Sequence, residues 1–466
     1  MPSNLSVIVL AAGKGTRMKS RLPKVLQPLA GRALLMHSFT SAAALQPKQT
    51  VVVVGHGADQ VEKALVGHAV SFALQSPQNG TGHAAAVGLA AISDDGDDDG
   101  DGITLVVTGD TPLIRAETLA ALVALVNRET FALLTCTVKD ATGYGRIVRN
   151  AAGEVLKIVE HKDALAQNDV ATLAINEINS GIMAAPTAWL RSALSKLTPH
   201  NAQGELYLTD VIAQASMDGL HVATAQPNDE SEIAGVNDKA QLAALERAFQ
   251  HAEAQNLLAN GVTLADPARI DVRGKLTCGN DVFIDVGCVF IGHVALGDNV
   301  RIGANCVVKD ATIGAQTTVH PMSHLDGCTV GESAAIGPFA RLRPAAHLGD
   351  EVHIGNFVEV KNSTLAKGAK ANHLAYLGDA TVGERVNYGA GAITANYDGV
   401  NKHRTIIEAD VRVGSNCVLV APVTLGAAST IGGGSTITKE VPVGALSVAR
   451  GRQVIVPNWK RPAKKP

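Results

Sequence analysis

In the C-terminal part of the chain the aliphatic residues recur at every sixth position: Val330, Ile336, Leu342, Leu348, Ile354 and Val360, then Val413, Leu419, Leu425, Ile431 and Ile437. Ile284, Phe290, Leu296, Ile302 and Val308 keep the same count earlier, and glycine directly follows several of these residues, as at Ile302, Ile336, Ile354 and Ile431. Helices repeat every 3.6 residues and half-buried strands every two, so neither has this period. Short strands joined by recurring corners do, which predicts a triangular β-solenoid from about Val262 to Gly451. A prism of this kind buries little beyond its own axis, so its chemistry belongs on its outer faces. The hexads fail over Ala392–Asp410, which predicts a protruding loop.

The N-terminal part has a different rhythm. Apolar runs at Ser6–Ala12, Thr50–Gly55 and Thr104–Thr108 alternate with amphipathic or Ala-rich stretches at Ala33–Ala44, Gly82–Ala91 and Glu117–Asn127. Strands alternating with helices predict an α/β domain with a mostly parallel sheet covered on both faces. Asn237–Asn260 contains no internal Pro or Gly and sets Leu242, Leu245, Phe249 and Ala252 on one helical face, so it predicts a helix joining the two architectures. The expected division is residues 1–236, a linker helix 237–261, and 262–466.

Composition narrows the possibilities. The 466 residues are 46% hydrophobic and 18% charged, as in a soluble globular protein, and only 3% aromatic, as in a narrow prism filled by aliphatic residues. A net charge of −3 offers no argument for nucleic acid. Six cysteines include no C-x-x-C pair. Cys288, Cys306 and Cys417 each stand four places after a hexad aliphatic, where a small inward residue belongs, so they read as packing thiols in a reducing compartment. No basic leader precedes an apolar stretch and no run approaches the ~18 apolar residues of a membrane span, so the expectation is a cytoplasmic protein without a membrane partner. Asp95, Asp97, Asp99 and Gly100 mimic the opening of a calcium loop, but the twelfth position is Val106, so the acidic run Asp94–Gly102 reads as a solvated surface loop.

Chemistry enters just after the first strand, at Leu10-Ala11-Ala12-Gly13-Lys-Gly-Thr-Arg17-Met18, with Pro23-Lys24 beyond it. Small residues let backbone N–H groups approach a phosphate, and flanking cations neutralise its charge. The third glycine of a dinucleotide fingerprint and the G-x-x-x-x-G-K-[ST] string are both missing. The string as it stands resembles the signature of sugar-1-phosphate nucleotidyltransferases, and matches continue downstream. The resemblance implies a Rossmann-like nucleotidyltransferase sheet, with Gln75, Gly80 and Thr81 on the base and ribose, and Thr108-Gly109-Asp110 at a strand end. It implies sugar contacts at Gly145, Glu160 and Asn179, Mg²⁺ held by Asp110 and Asn237, and phosphates stabilised by Arg17 and Lys24. The implied reaction needs no protein nucleophile, because a sugar phosphate attacks the α-phosphorus of a nucleoside triphosphate and pyrophosphate leaves. Taken singly, Asp110 also reads as a helix cap and Lys24 as ordinary surface charge.

A second cluster crosses the solenoid: Arg341, Arg343, Lys361, His373, Tyr376, Asn387, Asn396 and Tyr397. The strings Arg341-Leu-Arg-Pro, Gly355-Asn-Phe-Val-Glu-Val-Lys361, Asn372-His-Leu-Ala-Tyr376, Asn387-Tyr-Gly-Ala-Gly and Ala395-Asn-Tyr-Asp-Gly resemble the acetyltransferase half of the bifunctional uridyltransferase/acetyltransferase family that makes UDP-N-acetylglucosamine. That likeness covers nearly the whole chain. It implies an all-β left-handed β-helix of hexapeptide repeats, acetyl-CoA and UTP as co-substrates, glucosamine-1-phosphate and N-acetylglucosamine-1-phosphate as sugar substrates, and a homotrimer with acetyl transfer sites between neighbouring prisms. His373 is then the general base, suited by an ordinary imidazole pKa near 6.5. Arg343 and Lys361 hold the sugar phosphate, and Tyr376 and Asn387 contact the sugar. Ala390, Asn396, Tyr397, Ser415, Gly433 and Arg450 contact acetyl-CoA; at Gly433 the family also uses Ala. His293, His347 and His353 read as satisfied histidines at solenoid corners, and Cys328 and Cys417 as packing rather than acyl carriers. The basic tail Trp459–Pro466 is placed to reach a neighbouring site. The rival is a single-activity nucleotidyltransferase with a merely structural solenoid, which leaves Arg343, Lys361, His373 and Tyr376 unexplained.

Overall fold

A computed structural model describes residues 4–93, 102–462 and 464. The acidic run Asp94–Asp101, with its calcium-loop mimicry, lies outside the described residues. The chain divides into two compact units, Met1–Phe249 and Gln250–Pro466, with the helix Lys239–Ala259 spanning the division.

The first unit is built on a nine-stranded sheet. Its strands are β1 (Leu5–Leu10), β2 (Gln49–Val54), β3 (Ser71–Leu74), β4 (Ile103–Thr108), β5 (Thr130–Thr137), β6 (Arg146–Arg149), β7 (Val155–Val159), β8 (Glu177–Pro186) and β9 (His221–Ala225). The order is β9-β5-β8-β4-β1-β2-β3, with β6 and β7 as an appended ladder on β8. β1 runs parallel to β2 and β4, whereas β8 is antiparallel to both β4 and β5. The three strands expected from the sequence are β1, β2 and β4, and they read as unbroken apolar runs because both sheet faces are covered. Val7, Val9, Val52 and Leu105 pack on one face with the helices Leu34–Ala43 and Ala116–Ala124. Ile8, Val51, Val53 and Val106 pack on the other with the helices Thr81–Ala90 and Thr187–Ser195. Asp110 caps neither neighbouring helix: the next one begins at Ala116, with Arg115 at its N-cap.

The second unit is a parallel solenoid. Successive coils stack Ile302 on Val319, Val319 on Ile336 and Ile336 on Ile354 in register. All hexad aliphatics point inward, from Ile284 through Ile336 and Leu342 to Ile437, and form one continuous core. Cys288, Cys306 and Cys417 are inward too, and each thiol donates to a carbonyl about one coil on: Gly303, His320 and Gly432, at 3.2, 3.2 and 3.3 Å. Burial pushes the Cys306 and Cys328 thiols up to about 12, so neither supplies thiolate near neutral pH.

The structure corrects two expectations. Ile393–Ala395 and Thr405–Ile407 are ladder strands, so only residues 396–404 leave the prism, as a hairpin closed by a Tyr397–Lys402 bridge. The hexad count fails earlier than the fold does, because an insertion shifts the register without breaking the rung on either side. His293, His347 and His353 lie on strands rather than corners, their side chains facing outward, with His347 Nδ1 2.8 Å from Thr329 Oγ1.

Candidate active sites

At the carboxyl end of β1 and β4 the first unit opens a cleft of about 930 Å³. Its walls include Leu10, Ala12, Gly13, Lys24, Gln75, Gly80, Thr81, Thr108 and Asp110, nine of the residues singled out from the sequence. Ala11 is buried behind the wall, its N–H bound to Val53 O at 2.9 Å, and Gly109 N–H is held on Leu10 O at 2.9 Å. Gly15 is required twice over: its φ is 58°, and a Cβ there would fall 2.5 Å from Lys24 Cβ. Gln75 Nε2 donates to Gly80 O at 2.9 Å, which closes the segment onto the helix starting at Thr81.

The cations and the expected metal ligands are already partnered. Lys24 Nζ forms an ion pair with Asp110, and Arg17 Nη2 donates to Asn237 Oδ1 at 2.9 Å. Val236 N–H on Asp110 O at 3.0 Å brings Asn237 beside Asp110 across more than a hundred residues. Among the described residues no three His, Cys, Asp or Glu side chains form a metal cage. One carboxylate and one amide oxygen, each now facing a cation, nevertheless suit an ion that keeps water and takes phosphate oxygens as further ligands, as Mg²⁺ does.

Gly145, Glu160 and Asn179 form a second group, on the β6–β7–β8 ladder. Asn179 N–H binds Gly145 O at 2.9 Å, and a Cβ on Gly145 would lie 3.4 Å from Glu160 Oε1. Burial raises the Glu160 carboxyl above its usual range, although Thr209 Oγ1 donates to it at 3.1 Å. Burial, and after it the charge of Asp110, raises the Tyr144 phenol above its usual range.

On the solenoid the backbone ladder itself assembles the site. Leu374 N–H binds Asn356 O, Gly391 N–H binds His373 O, Asn416 N–H binds Ala390 O, and Gly434 N–H binds Ser415 O. These bonds put Asn356, His373, Ala390, Ser415 and Gly433 in one column along a prism edge. Arg450 Nη1 closes its top on Gly433 O at 2.8 Å. A Cβ on Gly433 would meet nothing nearer than Ser415 O at 3.4 Å, an ordinary contact, so the family's alternative Ala fits. His373 Nδ1 lies 2.9 Å from Asn356 Oδ1. An amide oxygen only accepts, so Nδ1 carries the hydrogen and Nε2 keeps its lone pair.

The next face carries the cations. Arg343 N–H binds Val360 O, so Arg343 stacks beneath Lys361, and Lys361 pairs in register with Gly378, over which the Tyr376 hydroxyl lies. Glu359 bonds Arg343 Nη1 at 2.9 Å and lies 3.6 Å from Arg341 Nη1. The Lys361 ammonium is held below its ordinary value, first because Lys402 crowds it and further because of Arg343. Arg343, Lys361 and Lys402 crowd one another while Glu359 engages only Arg343 and Arg341, so the cluster keeps positive charge to offer an anion. Lys402 escaped the sequence reading because it rides on the 396–404 hairpin. Asn356 escaped because finding it requires counting one coil back from His373. The hairpin is fastened by Asp398, which accepts from Asn401 N–H and Val400 N–H and pairs with His403 at 2.7 Å, so its carboxyl sits far below the usual range. Asp379 receives Nδ2 of both Asn396 and Asn362, pinning the hairpin's base. Tyr397 is exposed, with its hydroxyl on Gly399 O at 2.5 Å. Asn387 is the outlier: it pairs in register with Lys370 and Arg412 on the adjacent face, not beside Arg343 and Lys361.

Comparison with known proteins matches different family models to different stretches of the chain. Residues 7–197 match the MobA-like NTP transferase domain, 272–354 the GMPPB C-terminal domain, and 404–439 the bacterial transferase hexapeptide (six repeats). The bifunctional protein GlmU of Acidovorax sp. (strain JS42) is 60% identical, over 99% of this chain and 98% of its own. GlmU of Methylibium petroleiphilum is 58% identical and that of Bordetella petrii 55%, each over 99% of this chain and 100% of the relative. A nucleotidyl transferase from Methanothermobacter thermautotroptrophicus overlays with a TM-score of 0.38 at 21% identity, covering 53% of this chain and 98% of that one, and carries no weight in the assignment. Because the GlmU likeness runs through both units and over the full length of the relatives, the chain belongs to the GlmU family, a bifunctional enzyme that joins a uridyl-transferring nucleotidyltransferase half to an acetylating left-handed hexapeptide β-helix.

Proposed function

We propose that the prism, with the boundary at residue 262, acetylates glucosamine-1-phosphate from acetyl-CoA, and that residues 1–236 then join the N-acetylglucosamine-1-phosphate to UTP with release of pyrophosphate. The observation that carries this reading is the column from Asn356 and His373 to Gly433 and Arg450, bordered by Arg343, Lys361 and Lys402. In the first reaction the cations grip the sugar phosphate and Tyr376 lies against the sugar. His373 Nε2 accepts the amine proton as nitrogen attacks the thioester carbon and the CoA thiolate leaves. Ala390, Asn396, Tyr397, Ser415, Gly433 and Arg450 line the acetyl-CoA path along the edge. In the second reaction Gln75, Gly80 and Thr81 hold the nucleoside, Gly145, Glu160 and Asn179 the sugar, and Arg17 and Lys24 the phosphates. Asp110 and Asn237 would hold Mg²⁺, which would supply charge neutralisation and orientation of the phosphate oxygens.

Self-association as a homotrimer completes the reading. Met322, Phe339, Phe357 and Leu374 occupy consecutive left-handed corners of one edge, 48%, 50%, 56% and 62% exposed, with the two phenyl rings stacked at 5.3 Å. Such an apolar ladder, continuous with the His373 column, suits burial against a second copy. A neighbouring prism is also the means of bringing an Asn387 face or a Trp459 tail to the cations. Phe339→Asp with Phe357→Asp is expected to yield monomers by analytical ultracentrifugation and to remove acetyl transfer while sparing uridyl transfer. A trimer that persists with full acetyl transfer contradicts this. Among the described residues no helix is long and apolar enough to cross a membrane.

The direct test is product formation. Protein given glucosamine-1-phosphate, acetyl-CoA, UTP and Mg²⁺ should yield UDP-N-acetylglucosamine. Omitting acetyl-CoA should stop it, and supplying N-acetylglucosamine-1-phosphate should restore it. Product from the unacetylated sugar without acetyl-CoA would overturn the proposed order.

A further inference from the structure

Arg146, at the start of β6, is 2% exposed, yet its guanidinium forms no ion pair among the described residues. Nη1 donates to Tyr144 O, Nη2 lies 3.3 Å from His161 Nδ1, and the buried Nε has no partner. Arg149, three residues along the same strand, shows the ordinary arrangement, with bonds of 2.8 and 2.6 Å to Glu177. Burying a charge is costly without a paired carboxylate, and Asp140, whose charge acts on Arg146, forms no ion pair with it, so the unpaired guanidinium calls for a reason.

The surroundings supply it. Arg146 pairs with Ile178 and Val159 in the ladder, so it stands where the three strands bearing Gly145, Glu160 and Asn179 meet. Its two bonds tie the carbonyl before Gly145 to the ring after Glu160. A carboxylate on Arg146 would cancel a positive charge that favours a phosphate dianion nearby, and would compete for the N–H groups that make the tie.

Resting on the uridyltransferase reading, we infer that Arg146 is a positioning residue for the sugar-1-phosphate, acting through Tyr144 and His161 rather than by touching the substrate. His161 serves as acceptor at Nδ1 and so carries its hydrogen on Nε2.

The test is steady-state uridyl transfer by full-length Arg146→Met, Arg146→Lys, His161→Leu and the Arg146→Met/His161→Leu double variant. Acetyl transfer and melting temperature are followed alongside. Arg146→Met is expected to raise KM for N-acetylglucosamine-1-phosphate about tenfold, a loss of one hydrogen-bonded charge tie. KM for UTP, acetyl transfer and kcat should stay near wild type. Arg146→Lys, which cannot bridge both partners, should recover only part, and the double variant should be no worse than Arg146→Met. If Arg146→Met fails to fold, His161→Leu carries the test, since it must raise the same KM selectively. A lowered melting temperature with unchanged KM, or equal rises in both KM values, overturns the positioning role. A wild type that transfers no uridyl group overturns the uridyltransferase reading itself and this role with it.

Discussion

Replacing His373 by Ala is expected to lower kcat for acetyl transfer by about 10²–10⁴-fold, the usual contribution of a positioned general base, with uridyl transfer unchanged. His373 Nδ1 and Asn356 Oδ1 are in contact at 2.9 Å. The amide oxygen fixes the tautomer with its free lone pair on Nε2, the nitrogen left to face a substrate amine, and holds the ring in plane at the column's edge. Asn356→Leu should therefore cost about 10- to 100-fold in acetyl transfer, as removal of a ligand's hydrogen-bond partner does elsewhere. Asn356→Asp should raise the apparent pKa of the base in the kcat profile, because a carboxylate stabilises the imidazolium. A His373→Ala enzyme near wild-type rate, or an Asn356→Asp profile that does not move, would remove the base assignment.

The second large effect is expected at Asp110. If Asp110 holds Mg²⁺ as proposed, Asp110→Ala should reduce uridyl transfer by at least about a hundredfold, since a metal at the phosphates supplies several kcal/mol of charge stabilisation, and should leave acetyl transfer intact. The ion pair with Lys24 adds a finer expectation. Lys24 and Arg17 face the oxygens proposed to hold the metal, so on that proposal the two cations are expected to give up those oxygens and turn to the phosphates when metal and nucleotide bind. In Lys24→Met the competing ammonium is gone, and Mn²⁺ used as a probe without nucleotide should bind up to about tenfold more tightly, read by titration calorimetry. Weaker Mn²⁺ binding in that variant would contradict the exchange.

Much of this was legible because both halves advertise their periodicity. An aliphatic residue at every sixth place can satisfy only a coil that turns it inward each time, and the residues from Ile284 to Ile437 are so placed. The unbroken Val7–Val9 and Val51–Val54 runs carried the doubly covered sheet for the same reason. One wall of the N-terminal cleft was legible as a string because Leu10, Ala12, Gly13 and Lys24 lie on one strand–loop passage, and Gln75, Gly80, Thr108 and Asp110 reach it from other strands. What was not legible depends on stacking between coils or on registers broken by insertion. Nothing local in Gly355-Asn356-Phe357 says that the amide will lie one rung below His373. Lys402 was hidden by the hairpin that interrupts the hexads, and the exposure of Phe339 and Phe357 at left-handed corners, a conformation large residues rarely adopt, carries no signature in a hydrophobicity pattern. The Lys24–Asp110 and Arg17–Asn237 pairings were equally invisible, since each residue was read for its ligand rather than for its neighbour.

Two separable sites on one chain are the core of the account, and mixing the two crippled enzymes tests it directly. Neither His373→Ala nor Asp110→Ala alone should convert glucosamine-1-phosphate, acetyl-CoA and UTP into UDP-N-acetylglucosamine at an appreciable rate. Combined in one tube they should, because the acetylated sugar phosphate made by Asp110→Ala is the substrate that His373→Ala can still uridylate. If each variant retains its spared half-reaction and the mixture forms product, the division of labour stands. If the mixture forms none, or if either substitution alone silences both half-reactions in a folded protein, the division is wrong.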